Sequence, residues 1–207
     1  MRKIKVIGVG PGSPAYIAPA AASALREASL LIGGRRHLDS FAGRGQERFV
    51  LANNLEEMIA LIRDRRESGV AVLASGDPGM YGVLRFLLKH FAPGDIEVIP
   101  GISSVQLAFA RLSMPWEDAV ILSAHGRPAE KIKELAAGGE KVAVMTGTDN
   151  PPGKIFDIIS RGKDKKTFYL CFDLSLPGEA IVKLKPGDVY PAEYRGRHNC
   201  VMVIVNG

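Results

Sequence analysis

The segment Lys5–Pro14 reads KVIGVGPGSP, an apolar run that passes directly into glycines and prolines. A strand ending in such a turn is typical of α/β folds that bind ligands beyond the carboxyl ends of their strands. A dinucleotide site would need GxGxxG and, about twenty residues later, an acid for the ribose. Here Ser13 replaces the third glycine, two prolines remove N–H groups that a pyrophosphate needs, and Gly33-Gly34-Arg35 follow the second predicted strand. A pyrophosphate cradle is therefore poorly supported, and a tight turn without a ligand stays open.

The composition is that of an ordinary globular chain of 207 residues, with 46% hydrophobic and 24% charged residues. Its apolar runs are too short for a membrane span, and no signal-peptide core follows the basic N-terminus. The two cysteines, Cys171 and Cys200, lack CxxC spacing, so we expect a cytoplasmic protein with reduced thiols. The net charge of +5 suits a polyanionic small molecule or a solvated basic surface. Nucleic acid is disfavoured because basic runs and stacking aromatics are missing.

Strand and helix patterns alternate along residues 1–112, which predicts an α/β domain with a mostly parallel sheet. The stretch SMPWE (Ser113–Glu117) interrupts the rhythm and indicates a linker over residues 113–118. A second α/β domain is predicted over residues 119–207. Its last third contains three strand-like runs separated by Pro-Gly turns, so we expect a mixed sheet there.

Two further loops of the first domain carry unusual residues. Ser75–Gly82 (SGDPGMYG) offers three glycines, which let a ligand approach the backbone closely, and Asp77, which could accept hydrogen bonds from ribose hydroxyls or an ammonium group. The alternative is an ordinary turn in which Asp77 bonds nearby backbone. Pro100–Ser104 (PGISS) places two serines before a predicted helix, either as caps or as ligand contacts.

Together these loops resemble the tetrapyrrole methylase family of S-adenosylmethionine-dependent methyltransferases, which shows GxGPG, GDP and PG-[IV]-[ST]-[SA] motifs in this order. The resemblance runs from Ile4 to Val205 and includes Met145-Thr146 and Leu174-Ser175 with Glu179. It implies two α/β domains with a cleft between them and S-adenosylmethionine bound folded, without phosphates. A late cofactor contact is expected at Asn199 or Cys200. The other implied cofactor contacts are Pro11, Gly76, Asp77, Met80, Tyr81, Ser103, Ser104 and Met145.

Three shorter stretches, Gly33–Leu38 (GGRRHL), Pro115-Trp116 and Ser123–Arg127 (SAHGR), are similar to the branch that methylates carbon-5 of cobalt-precorrin-7 or precorrin-7 in cobalamin biosynthesis. The resemblance implies a substrate with several carboxylates, which arginine forks match well. No catalytic residue is assigned beyond two candidate proton acceptors, His125 and His37. The candidate substrate contacts are Arg35, Arg36, His37, His125 and Arg127, with Arg111 as a further arginine.

The resemblance also implies a homodimer, cobalt carried by the substrate rather than by a metal site of the chain, and a separate protein that methylates carbon-15 and decarboxylates. Other substrates of the family remain open: uroporphyrinogen, another precorrin, diphthine or ribosomal RNA. Two other classes are a nicotinamide-dependent oxidoreductase, against which the missing glycine and acid count, and a binding module without activity.

Overall fold

The computed structural model describes residues 2–161 and 165–207 and divides into two compact units, Met1–Ser103 and Ser104–Gly207. Each unit is an α/β layer structure with one five-stranded sheet. No helix in these described ranges is long and apolar enough to cross a membrane.

The first unit is built on an all-parallel sheet in the order β3-β2-β4-β1-β5. The inner strands Leu30–Gly33 and Val70–Ala74 are continuous apolar runs, as expected of parallel strands that are covered on both faces. The strands are β1 (Ile4–Gly8), β2 (Leu30–Gly33), β3 (Glu47–Val50), β4 (Val70–Ala74) and β5 (Ile96–Ile99). The helices are α1 (Pro19–Glu27), α2 (Arg35–Phe41), α3 (Leu55–Asp64) and α4 (Leu84–Leu87).

The sequences of the helices in this unit explain where each helix starts and which face it buries. Pro19 opens α1, where its missing N–H costs nothing. In α3, Met58, Ile59 and Ile62 form the buried stripe against the sheet, and two glutamates lie in the first turn, where the helix dipole favours negative charge.

The second unit contains a mixed sheet in the order β6-β7-β10-β8-β9. β6 and β7 are parallel, and β10 runs antiparallel to both β7 and β8. The strands are β6 (Val120–Ser123), β7 (Lys141–Met145), β8 (Lys166–Phe172), β9 (Ala180–Leu184) and β10 (Cys200–Asn206). The helices are α5 (Ser104–Arg111), α6 (Ala129–Ala136) and α7 (Pro152–Ile159).

The core of this unit lies between one face of the sheet and helices α6 and α7. Phe156 of α7 meets Phe168 of β8 edge to face, with ring centroids 5.0 Å apart. This geometry is favourable for two aromatic quadrupoles. This packing therefore fixes the ends of the strands that carry the predicted site residues of the second unit.

The predicted α/β class is confirmed, with a parallel and a mixed sheet. Two elements were not predicted: α2, which begins at Arg35, and the short edge strand β3, which begins with the exposed pair Glu47-Arg48. The division also differs from the predicted one. Helix α5 contacts β10 and belongs to the second unit, so the predicted linker at 113–118 lies inside that unit.

Candidate functional site

The three predicted loops of the first unit meet at the carboxyl edge of the sheet. The N–H of Gly76 donates to the carbonyl oxygen of Gly10 at 2.8 Å, and the two residues form an isolated antiparallel bridge. A Cβ on Gly8 would lie 2.5 Å from the amide nitrogen of Gly101, and a Cβ on Gly101 would collide with the carbonyl oxygen of Gly76. We call Gly8, Gly76 and Gly101 the glycine junction. It allows the loops to touch backbone to backbone.

Asp77 ties the second loop to the third. Its Oδ1 accepts the N–H of Gly79 at 2.8 Å, and its Oδ2 accepts the N–H of Gly101 at 3.1 Å. The backbone-bonding role considered for Asp77 is therefore present. Each carboxylate oxygen has a further lone pair, so the half-buried carboxylate can also accept a hydrogen bond from a ligand.

The residues after Asp77 form a tight turn. The N–H of Met80 donates to the carbonyl oxygen of Asp77 at 3.1 Å, and a Cβ on Gly82 would lie only 2.8 Å from the carbonyl oxygen of Pro78. Tyr81, between them, has a φ of +53° and is 52% exposed. The turn presents a large ring at the sheet edge in a backbone conformation that tyrosine rarely adopts.

The remaining predicted cofactor contacts of this edge are less exposed. Pro11 is buried in the first loop, and Ser103, at the end of the third, is 3% exposed. The predicted contact Ser104 is the first residue of α5 and belongs to the second unit.

The predicted substrate contacts Arg35, Arg36 and His37 lie at the same edge, because α2 begins directly after β2. Both arginines are exposed. The Nε2 atom of His37 is buried and has no hydrogen-bond partner among the described residues. Burial lowers the pKa of His37, and the charge of Arg36 lowers it further. The imidazole is therefore favoured in its neutral form, which can accept a proton.

The second unit gathers its predicted residues at one edge as well. The strand register places Ser123 beside Met145, Met145 beside Val201, and Cys200 beside Phe172. The ends of β6, β7 and β8 and the start of β10 thus share an edge. Met145, predicted to contact the cofactor, lies there half-buried.

His125 and Arg127 lie on the loop after β6. A Cβ on Gly147 would lie 2.6 Å from Cε1 of His125, so the imidazole packs directly over this glycine. The buried side chain of Asn150 donates to the carbonyl oxygens of Ala124 at 2.8 Å and Arg127 at 2.7 Å. Asn150 therefore fixes the backbone of this loop, while His125 itself remains exposed.

The segment Asp173–Glu179, which we call the β8–β9 loop, is held at both ends. At its end, Glu179 accepts from Nε of Arg111 at 2.5 Å and from the N–H of Ser175 at 2.6 Å. The hydrogen bond from Arg111 lowers the pKa of Glu179. Arg111, proposed from the sequence as a substrate contact, is thus committed to an ion pair with Glu179.

At the start of the loop, Asp173 has a φ of +45° and accepts from the guanidinium of Arg197 and from Nδ2 of Asn199 at 2.9 Å. The Arg197 guanidinium also lies over the rings of Phe172 and Tyr194, with distances of 5.0 and 5.3 Å to their centroids. Asn199, predicted as a late cofactor contact, therefore bonds Asp173 through its side chain.

The alternative late contact, Cys200, is buried at the start of β10. Both cysteines are free. Burial raises the pKa of the Cys171 thiol to about 12, and it raises that of Cys200 well above the ordinary value. Both thiols therefore stay protonated and unreactive at neutral pH.

Sequence reasoning missed several residues that shape these edges. Gly8 and Gly101 stand within the quoted motifs, but no role was predicted for either, because a glycine in a sequence does not reveal which backbone approaches it. Asn150 stands before two prolines in a turn, a weak signal for a buried amide. Asp173 and Arg197 are 24 residues apart and meet only through the strand pairing. Within the described ranges, no three His, Cys, Asp or Glu residues are grouped as metal ligands would be.

A parallel five-stranded sheet and a mixed five-stranded sheet, each with a loop-built edge, define an α/β protein of the tetrapyrrole methylase architecture. The family model "Tetrapyrrole (Corrin/Porphyrin) Methylases" matches residues 3–189. The chain belongs to this family.

Three similar proteins refine the comparison. Cobalt-precorrin-7 C(5)-methyltransferase of Salmonella typhimurium is 35% identical over 202 residues, covering 97% of this chain and 98% of its own. The crystal structure of the methyltransferase CobJ superimposes with a TM-score of 0.81 at 22% identity, covering 100% of this chain and 95% of its own. Uroporphyrin-III C-methyl transferase from Thermus thermophilus, solved with S-adenosylhomocysteine, gives a TM-score of 0.68 at 21% identity, covering 98% and 97%. The two structures show the same fold.

Proposed function

We propose that this protein transfers a methyl group from S-adenosylmethionine to carbon-5 of cobalt-precorrin-7 or precorrin-7 in cobalamin biosynthesis. The observation that carries the proposal is the 35% identity with a cobalt-precorrin-7 C(5)-methyltransferase over nearly the whole of both chains. Family membership supports methyl transfer to a tetrapyrrole. The stretches Arg35–His37 (RRH) and His125–Arg127 (HGR) support methylation at carbon-5 of cobalt-precorrin-7 or precorrin-7.

The edge of the first unit suits a cofactor without phosphates. The loops around the glycine junction use their amides on one another and on Asp77, so few N–H groups remain to bind an anion. Asp77 provides carboxylate oxygens for hydroxyl or ammonium donors. We propose that this edge holds S-adenosylmethionine with Pro11, Gly76, Asp77, Met80 and Ser103. In the second unit, Ser104 and Met145 are the proposed contacts.

The bound cofactor supplies an electrophilic methyl group on a sulfonium. During transfer the carbon–sulfur bond breaks as the new carbon–carbon bond forms, and the sulfonium charge is lost, so a desolvated site favours the step. The protein's part is to hold the two carbons about 3–3.5 Å apart and in line. A proton that leaves the macrocycle needs an acceptor, for which His37 and His125 are the proposed candidates.

The substrate's carboxylates need cations. Arg35, Arg36 and Arg127 are the proposed contacts, and the exposure of the first two leaves their guanidinium groups accessible. Arg111 is not among the proposed contacts, because its guanidinium is paired with Glu179. We further propose that the enzyme acts in the cytoplasm, consistent with its two free buried thiols, and as a homodimer.

The test is to incubate the purified protein with S-adenosylmethionine and cobalt-precorrin-7 and to follow the tetrapyrrole by mass spectrometry. The expected product carries one additional methyl group. Replacing Arg35 and Arg36 together by glutamine should raise KM for the tetrapyrrole by about tenfold or more, since the loss of even one charge-assisted pair of about 1.5 kcal/mol corresponds to about tenfold. Arg44→Gln, an exposed arginine of the same unit, is the matched control and should change nothing.

Two outcomes would contradict the proposal. An unchanged tetrapyrrole from protein that binds S-adenosylhomocysteine would move the substrate elsewhere in the family. Equal effects of the Arg35/Arg36 and Arg44 replacements would remove the arginine pair from the substrate site.

A further inference from the structure

Tyr81 is unusual among the left-handed residues of the chain. In the described ranges, four non-glycine residues have a positive φ: Tyr81, Ser113, Asp173 and Ser175. The other three have short polar side chains. Only Tyr81 forces a bulky ring into this conformation, which is costly for such a residue.

The surrounding turn accounts for how the conformation is kept. Asp77 bonds the N–H of Gly79, the N–H of Met80 bonds back to Asp77, and Gly82 packs against the carbonyl of Pro78. These contacts determine the backbone on both sides of Tyr81. They leave the residue 52% exposed, so only about half of its surface is covered. The backbone strain is thus kept at a position where the ring is only partly buried.

A second exposed apolar side chain stands on the neighbouring loop. Ile102 is 39% exposed and directly follows Gly101, whose N–H is bound by Asp77. Two large apolar side chains therefore stand on joined loops at the edge that also carries Arg35 and Arg36. An apolar surface beside cations matches a ligand with a broad conjugated face and anionic arms. An adenine ring would instead call for an enclosed pocket with polar partners.

We propose that Tyr81 is a substrate-binding residue that contacts the flat face of the tetrapyrrole, and that its strained backbone is retained to present the ring there. The inference rests on the function proposed above and departs from the sequence prediction, which assigned Tyr81 to the cofactor. Residues held in sparsely populated backbone regions cluster at active sites and ligand clamps. Aromatic stacking supplies affinity without needing a specific hydrogen bond.

The experiment separates backbone strain from the ring with three variants: Tyr81→Gly, Tyr81→Asn and Tyr81→Phe. Glycine and asparagine accept the left-handed region but lack the ring, whereas phenylalanine keeps the ring and the strain. Each variant is titrated with S-adenosylhomocysteine and, separately, with uroporphyrin III as a non-reacting tetrapyrrole polycarboxylate. KM and Tm are measured alongside.

We expect Tyr81→Gly and Tyr81→Asn to keep or raise Tm while weakening uroporphyrin binding and raising KM by about tenfold, the value of one good stacking contact. Their Kd for S-adenosylhomocysteine should stay within about twofold of the original, and Tyr81→Phe should behave like the original protein. The matched control is Ser113→Gly, also left-handed and exposed, which should raise Tm without changing either Kd.

Three results would overturn the proposal. Weaker S-adenosylhomocysteine binding with unchanged uroporphyrin binding would return Tyr81 to the cofactor. A fall in Tm of both ring-less variants, with all ligands affected together, would make Tyr81 structural. Unchanged binding of both ligands would leave the ring without a role. Because the uroporphyrin titration needs no turnover, these outcomes are independent of whether cobalt-precorrin-7 is the substrate.

Discussion

At the scale of single residues, the protonation of His37 makes the stability of the fold depend on pH. Its Nε2 is buried without a partner, and burial followed by the charge of Arg36 lowers its pKa from 6.5. The unfolded chain therefore binds the proton more readily than the folded one. The contribution of neutral His37 to the stability of the fold is fully present above pH 6.5. It is lost as the pH falls through the lower pKa of the folded state.

We predict that His37→Leu reduces the acid sensitivity of the fold. Between about pH 7.5 and pH 5, the free energy of unfolding should fall less in this variant than in the original protein, because an apolar side chain has no proton to bind. Urea unfolding at several pH values measures the difference. His198→Gln, at an exposed histidine, is the control. An unchanged pH dependence in His37→Leu would show that the buried imidazole is not the sensitive group.

At the scale of elements, the β8–β9 loop depends on a planar guanidinium. Arg197 bonds Asp173, donates to the carbonyl oxygen of Gly178 at 2.6 Å, and lies over two aromatic rings. A lysine keeps the charge but cannot form the fork or stack in the same way.

Arg197→Lys should lower the free energy of unfolding by about 1–2 kcal/mol, a value reduced for the partial exposure of the pair. The exposed neighbour Arg195, changed to lysine, should stay within about 0.5 kcal/mol of the original protein. Urea unfolding of both variants checks the prediction. Equal stability of the two would mean that the loop is held by its Glu179 end.

The helices and strands also show how much of the fold can be predicted from the sequence. Buried runs such as Val70–Ala74 and the apolar stripe of α3 predicted the sheets and helices, because periodicity reports burial directly. The strand β3 was not predicted, because it is a short edge strand that begins with polar residues. At the candidate site, the motifs drew attention to Asp77 and Met145, whose contact with the cofactor stays a prediction. The ion pair of Arg111 and the backbone of Tyr81 depend on contacts and strain that no local pattern encodes.

At the scale of the whole molecule, the net charge of +5 acts on the two proposed ligands differently. A tetrapyrrole with several carboxylates is attracted by the field of the protein, whereas the charges of S-adenosylhomocysteine nearly cancel. Salt screens the first interaction more than the second.

We therefore predict that KM for the tetrapyrrole rises several-fold between about 25 and about 250 mM sodium chloride, while the Kd for S-adenosylhomocysteine changes by less than about twofold. Steady-state kinetics and titration calorimetry at matched salt concentrations measure the two responses. A parallel rise of both values would point to a salt effect on the fold instead of on substrate attraction.

The glycine junction has a consequence for how this protein could acquire a new substrate. Positions 8 and 101 admit no side chain, since even a methyl group would meet the backbone of a neighbouring loop. In a selection from randomised codons, these positions should return glycine whatever compound is offered. A new substrate specificity must then arise from changes in the side chains around the junction. The meeting point of the loops stays fixed while the residues on its rim, Tyr81 and Ile102 among them, are free to vary.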